Sequence, residues 1–136
     1  SGYMIVQYSA ASMVSENKVL AHPASVDSIP SSANQEDMVS MGTTAARKSG
    51  WIVQNTLSVL ADELLTACQA IDIRRRLNTH GQGISPVHQK VFDRVRKDIA
   101  FYETDRELWQ DIQAAEKLVR SGELLEIVHE TVSDFE

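Results

Sequence analysis

The side chains able to do chemistry in this sequence are few and widely spaced. His22, His80, His88 and His129 never fall three or four residues apart, the separation that sets two metal ligands on one helical face, so no metal site is expected. Thr79-His80-Gly81-Gln82-Gly83 is glycine-rich, yet it lacks the preceding strand and following lysine of a phosphate cradle and reads as a turn between helices. Cys68 is the only cysteine, which excludes an internal disulfide and fits a reducing, cytoplasmic compartment. It falls on an apolar helical seam and reads as a small buried hydrophobe rather than a nucleophile. The acids Glu36 and Asp37 are more informative. They are expected in the first turn of a long helix, where the helix dipole stabilises negative charge by about 0.3–1 kcal/mol. A polar loop that brings Gln35 and Glu36 together to a helix start is a common way to present a carboxylate to a pocket.

The elements that must position these residues read as helices throughout. Three prolines and six glycines punctuate the chain sparsely, and no stretch alternates at period two, so the expected fold class is all-α, a bundle with one very long central helix. Met4, Ile5, Tyr8, Ala11, Ser12, Val14, Ser15 and Val19 return at three- and four-residue spacing and predict a helix from Tyr3 to Ala21, stopped by His22-Pro23. Pro23 to Ala33 reads as a loop. Ser32-Ala33-Asn34-Gln35 has capping-box spacing and predicts a second helix from Gln35 to Leu77. Its seam of Val53, Leu57, Leu60, Leu64, Ala67, Cys68 and Ile71 is closed by Arg74, Arg75 and Arg76, which complement the negative end of the dipole. Unbroken, that helix spans roughly 65 Å at about 1.5 Å per residue, whereas a globule of this size is about 40 Å across. It implies packing against more protein than this chain supplies. Ser85-Pro86 opens a third helix, Thr104-Asp105-Arg106-Glu107 reads as a capping box for a fourth, and Ser121-Gly122 precedes a last short helix to about Glu130.

Nineteen acidic against thirteen basic residues in 136 give a net charge of -6, which argues against a nucleic-acid partner. No run is apolar enough for a bilayer, so no membrane partner is expected. The opening lacks the basic start of a signal peptide, and the chain reads as one helical unit, 1–136, that begins within a longer protein.

The run Asn17 to Pro30, with Ser31-Ser32-Ala33-Asn34-Gln35-Glu36-Asp37 and Val39-Ser40-Met41-Gly42, closely resembles the C-terminal portion of histidine ammonia-lyases, within the aromatic amino acid lyase and mutase family. The Ser85-Pro86 helix, Glu103 to Arg106 and Arg120-Ser121-Gly122 resemble the same closing region. The resemblance implies elimination of ammonia from L-histidine to give urocanate, and a tetramer of long helices whose pockets are shared between subunits. It also implies a methylidene-imidazolone (MIO) prosthetic group, made by cyclising an internal Ala-Ser-Gly. No Ala-Ser-Gly occurs here, so the group would form outside this chain, and the chain alone is expected to be inactive. By resemblance, Glu36 is the catalytic carboxylate facing the substrate ring, Gln35 lies beside it, and Met4, Tyr8 and Ser32 line the pocket. An imidazole offers N–H donors to a carboxylate, whereas a phenyl ring would leave the charge unpaired, and phenylalanine lyases carry glutamine at the place of Glu36. Met38 departs from the histidine usual in histidine lyases, which leaves a tyrosine ammonia-lyase or aminomutase as the alternative substrate reading. A helical assembly module without chemistry is the rival class. The partners implied are histidine, the remainder of the lyase chain, and further copies in a dimer or tetramer.

Overall fold

A computed structural model describes residues 2–26, 28–77 and 83–133. Five α-helices follow in order: α1 Met4–Leu20, α2 Gly42–Arg76, α3 Pro86–Asp98, α4 Trp109–Ser121 and α5 Glu123–Thr131. Among the described residues there is no strand, only an isolated antiparallel bridge between Ser31 and Glu36, so the all-α class holds. Of the expected Thr79–Gly83 turn, all but Gly83 lies outside the described residues.

α2 is the axis. α1 runs antiparallel along it, since Asn55 Nδ2 donates to Glu16 Oε2 at 2.7 Å and to Asn17 Oδ1 at 3.0 Å, and Lys48 Nζ donates to the His22 carbonyl. α4 packs against the same helix, with Arg120 Nη2 donating to Gln54 Oε1 at 2.5 Å and Ser58 Oγ to Glu116 Oε1. α3 and α5 close the far end, joined by Arg94, which bonds Glu123 and, at 2.8 Å, Asp98. The core between them consists of Ala61, Leu65, Cys68, Phe92, Val95, Ile99, Ala115 and Leu118.

Several local expectations hold. Ser85 caps α3, accepting from the His88 N–H at 3.4 Å, with Pro86 in the first turn. Gly122 ends α4 in the left-handed region at φ 79°, where a side chain would be strained. Cys68 is buried at 3% exposure, and burial pushes its thiol up from the usual range, which suits a packing residue.

Three expectations are corrected. The long helix begins at Gly42, not Gln35, because Ser32, Ala33 and Asn34 turn left-handed (φ 51°, 56° and 67°) and take Gln35 out of register with α2. Its 35 residues still extend roughly 52 Å at about 1.5 Å per residue, so the helix remains longer than a compact chain of this size. The Thr104–Glu107 box is not used either. Arg106 instead donates to the carbonyls of Phe101 (3.1 Å) and Ala100 (3.0 Å) and to Asp111 (2.6 Å), which ties this segment into an irregular connection, and α4 starts at Trp109.

The third correction concerns which faces are buried. α2 buries Ser58, Ala61, Asp62, Leu65, Cys68 and Gln69, a face displaced from the expected seam by about one residue. Cys68 belongs to both, whereas Val53, Leu60 and Ala67 stay exposed. On α1 only Val6 is buried, and Ile5, Tyr8, Val14 and Val19 face outward.

Candidate functional site

Glu36 and Gln35 lie in the connection between α1 and α2, at the mouth of a tightly closed turn. The Ser31 N–H donates to the Glu36 carbonyl at 2.8 Å, and the Glu36 N–H returns to the Ser31 carbonyl at 3.3 Å. Within that bridge, Ser32, Ala33 and Asn34 are all left-handed, and the Gln35 N–H donates to the Ser32 carbonyl at 3.1 Å. L-residues pay about 1–2 kcal/mol each for this conformation, and such a run persists only where surrounding contacts impose it. One such contact lies outside the bridge: Ser28 Oγ accepts from the Val39 N–H at 2.8 Å, drawing together the two ends of the loop.

Side chains complete the turn. Ser31 Oγ donates to Glu36 Oε2 at 3.5 Å, a long bond that leaves the other carboxylate oxygen open. Ser32, Gln35 and Glu36 are all exposed, so both an amide and a carboxylate are available to an incoming group. Glu36 can accept N–H bonds or exchange a proton with a ring nitrogen, and Gln35 can both donate and accept. The remaining acid, Asp37, is exposed, and so is Met38, at 83%.

Met4 and Tyr8 lie elsewhere. They occupy the opening turns of α1 at 53% and 61% exposure, beside the end of α2 where Tyr3 meets Tyr102 edge-on at 5.2 Å. The Ser31–Glu36 turn lies in the connection that leads into the N-terminal end of α2. Ser32, Gln35 and Glu36 share this turn, whereas Met4 and Tyr8 stand on α1.

Two groups carry chemistry that the sequence did not single out. Ser31 precedes the expected cap by one residue, and only the left-handed turn sets it against Glu36. Asp62 is 2% exposed on the buried face of α2, and neither of its oxygens meets a donor in good geometry. Burial takes its carboxyl up to about 6; the Ser9 hydroxyl lowers it and the Glu116 carboxylate raises it further. Among the described residues, no three of His, Cys, Asp and Glu gather as a metal site would require, and no helix is long and apolar enough to cross a membrane.

The sequence matches the family model described as aromatic amino acid lyase over residues 1–97. It is 53% identical over 136 residues to histidine ammonia-lyase 1 of Fusobacterium nucleatum subsp. nucleatum, covering all of this chain and 26% of that protein. Among solved structures, the fold is similar to histidine ammonia-lyase from Trypanosoma cruzi, with a TM-score of 0.86 at 44% identity, over 96% of this chain and 25% of that one. It is also similar to tyrosine aminomutase from Streptomyces globisporus, with a TM-score of 0.86 at 32% identity, over 100% of this chain and 25% of that one. The chain thus spans about a quarter of the length of the proteins it matches.

Proposed function

This chain belongs to the aromatic amino acid lyase family, and we propose that it is the C-terminal helical portion of a histidine ammonia-lyase, which converts L-histidine to urocanate and ammonia. The observation that carries the histidine reading is the Glu36 carboxylate, exposed beside Gln35 on a braced turn with one oxygen open. An imidazole N–H satisfies that oxygen, whereas a phenyl ring would leave it desolvated and unpaired, at a cost of several kcal/mol. Identity supports the same choice: 53% to a histidine lyase across the whole chain, against 32% to a tyrosine aminomutase.

In this reading the chain's own residues bind and orient. Glu36 accepts from the imidazole and exchanges a proton with it, while Gln35 fixes the ring's approach. Met4 and Tyr8 supply apolar wall.

The methylidene-imidazolone of the family forms from Ala-Ser-Gly, and the absence of that triplet means these residues do not make the group. In the full-length protein the group would supply the electrophile that activates the amine, while this chain supplies residues that bind and orient the ring; the isolated chain is expected to turn over no substrate. The full-length protein tests the reading. Histidine should give the rising absorbance of urocanate, and Glu36→Gln should lower the rate by about a hundredfold or more. Turnover of tyrosine with none of histidine would assign the aminomutase or tyrosine lyase branch instead.

A further inference from the structure

Glutamate has three side-chain torsions, and at an exposed site nothing in its own packing selects among their rotamers. A carboxylate that must meet a ring nitrogen in one orientation needs a partner to restrict it. The backbone bridge sets the direction in which the Glu36 side chain leaves the chain, through Ser31 N–H to Glu36 carbonyl (2.8 Å) and Glu36 N–H to Ser31 carbonyl (3.3 Å). The Ser31 hydroxyl then reaches Oε2 at 3.5 Å. Three consecutive left-handed residues bring these two positions face to face although they are five apart in sequence.

We propose that Ser31 is the positioning residue of Glu36, anchoring Oε2 through its hydroxyl so that Oε1 alone is presented to the substrate ring. The proposal rests on the reading of Glu36 as the carboxylate that meets the ring. Ser31 does not touch the substrate. It acts by narrowing the rotamers of Glu36 before the substrate arrives; a glutamine there can still accept the hydroxyl through its amide oxygen, but orienting it gains no rate, so the contribution to turnover exists only while position 36 carries the carboxylate that meets the ring. A serine that merely stabilised the turn would matter equally with glutamine at that position.

The test is a double-mutant cycle in the full-length lyase, read as histidine kcat/KM alongside thermal unfolding. Ser31→Ala is expected to lower kcat/KM by about tenfold with the melting temperature little changed, and Ser31→Thr, which keeps the hydroxyl, to restore it to within about twofold. In the Glu36→Gln background, Ser31→Ala should produce no further loss. Should the alanine variant fail to accumulate, Ser31→Cys, which keeps the backbone bridge but weakens the donor, serves the same cycle. A loss of equal size in both backgrounds, or failure of threonine to rescue, overturns the proposal. Wild-type rates in Ser31→Ala beside a strong loss in Glu36→Gln overturn it while leaving the reading of Glu36 intact. Full histidine turnover by Glu36→Gln overturns both.

Discussion

At the scale of the residue, two positions carry costs that mutation can relieve. Ala33 has a φ of 56°, a conformation glycine adopts freely and a β-branched side chain resists. Ala33→Gly should leave the melting temperature unchanged or raise it slightly, and Ala33→Val should lower it together with histidine turnover; equal behaviour of the two variants would mean the turn is not held left-handed. Asp62 carries the other cost. Its carboxyl rises from an ordinary 3.8 to about 6 on folding, mainly by burial, so between about pH 4 and 6 the folded chain keeps a proton that the unfolded chain has released. Stability from this group is therefore full below about pH 4 and falls as pH rises to 6, by on the order of 3 kcal/mol above that window. Asp62→Asn should melt several degrees above the parent at pH 7.5, with the gap closing by pH 4; a gap that stays constant with pH would exclude titration of Asp62 as its cause. Neither position was legible in the sequence. Alanine gives no sign of its φ, and an acid beside an apolar seam reads as solvated until its neighbours are known.

At the scale of the element, legibility followed the range of the interaction that decides. Ser85-Pro86 and Gly122 act on their immediate neighbours, and both helix boundaries came out where those residues place them. The Ser32–Gln35 and Thr104–Glu107 spacings are also local, but longer-range bonds override them: the Ser31–Glu36 bridge at one, and the Arg106 bonds to Ala100, Phe101 and Asp111 at the other. Arg75 and Arg76 suit the end of α2 as expected, and they also stack over Phe92 (4.6 Å) and Phe101 (3.7 Å), which no helical period reveals. Burial of α2 went astray for the same reason. Its inner face includes Ser58 and Gln69, polar residues whose partners, Glu116 and the Tyr102 backbone, lie 58 and 33 residues away. Gln69 donates to the Tyr102 carbonyl at 2.8 Å and accepts from its N–H at 3.1 Å, pinning the α3–α4 connection to the axis. Gln69→Leu removes both bonds and orphans a backbone donor and acceptor, so it should destabilise the fold by about 1–3 kcal/mol in chemical denaturation. A neutral result would show that water replaces the side chain there. Of the candidate site, the adjacency of Gln35 and Glu36 was legible; that they sit on a left-handed turn rather than in a helix was not.

At the scale of the whole molecule, the displaced face of α2 explains where the expected seam goes. Val53 (59% exposed) and Leu60 (43%) point away from the core formed with α3 and α4, and α1 leaves most of its apolar positions open as well. Leu60, Leu64, Ala67, Val119 and Leu124 line an open apolar groove on the same side. Apolar stripes of this extent on a chain of 15.1 kDa favour burial against further protein, and in the isolated chain the available surface is another copy. The chain should therefore sediment as a dimer or tetramer at micromolar concentration. Leu60→Lys together with Val53→Lys should shift it towards monomer: each charge would need desolvation at a helix–helix contact, while both parent side chains are exposed enough that the fold itself loses little. Circular dichroism separates dissociation from unfolding, because a dissociated variant keeps its helical signal and an unfolded one does not. A clean monomer formed by the unmodified chain would mean that these stripes are covered only by the rest of the full-length protein.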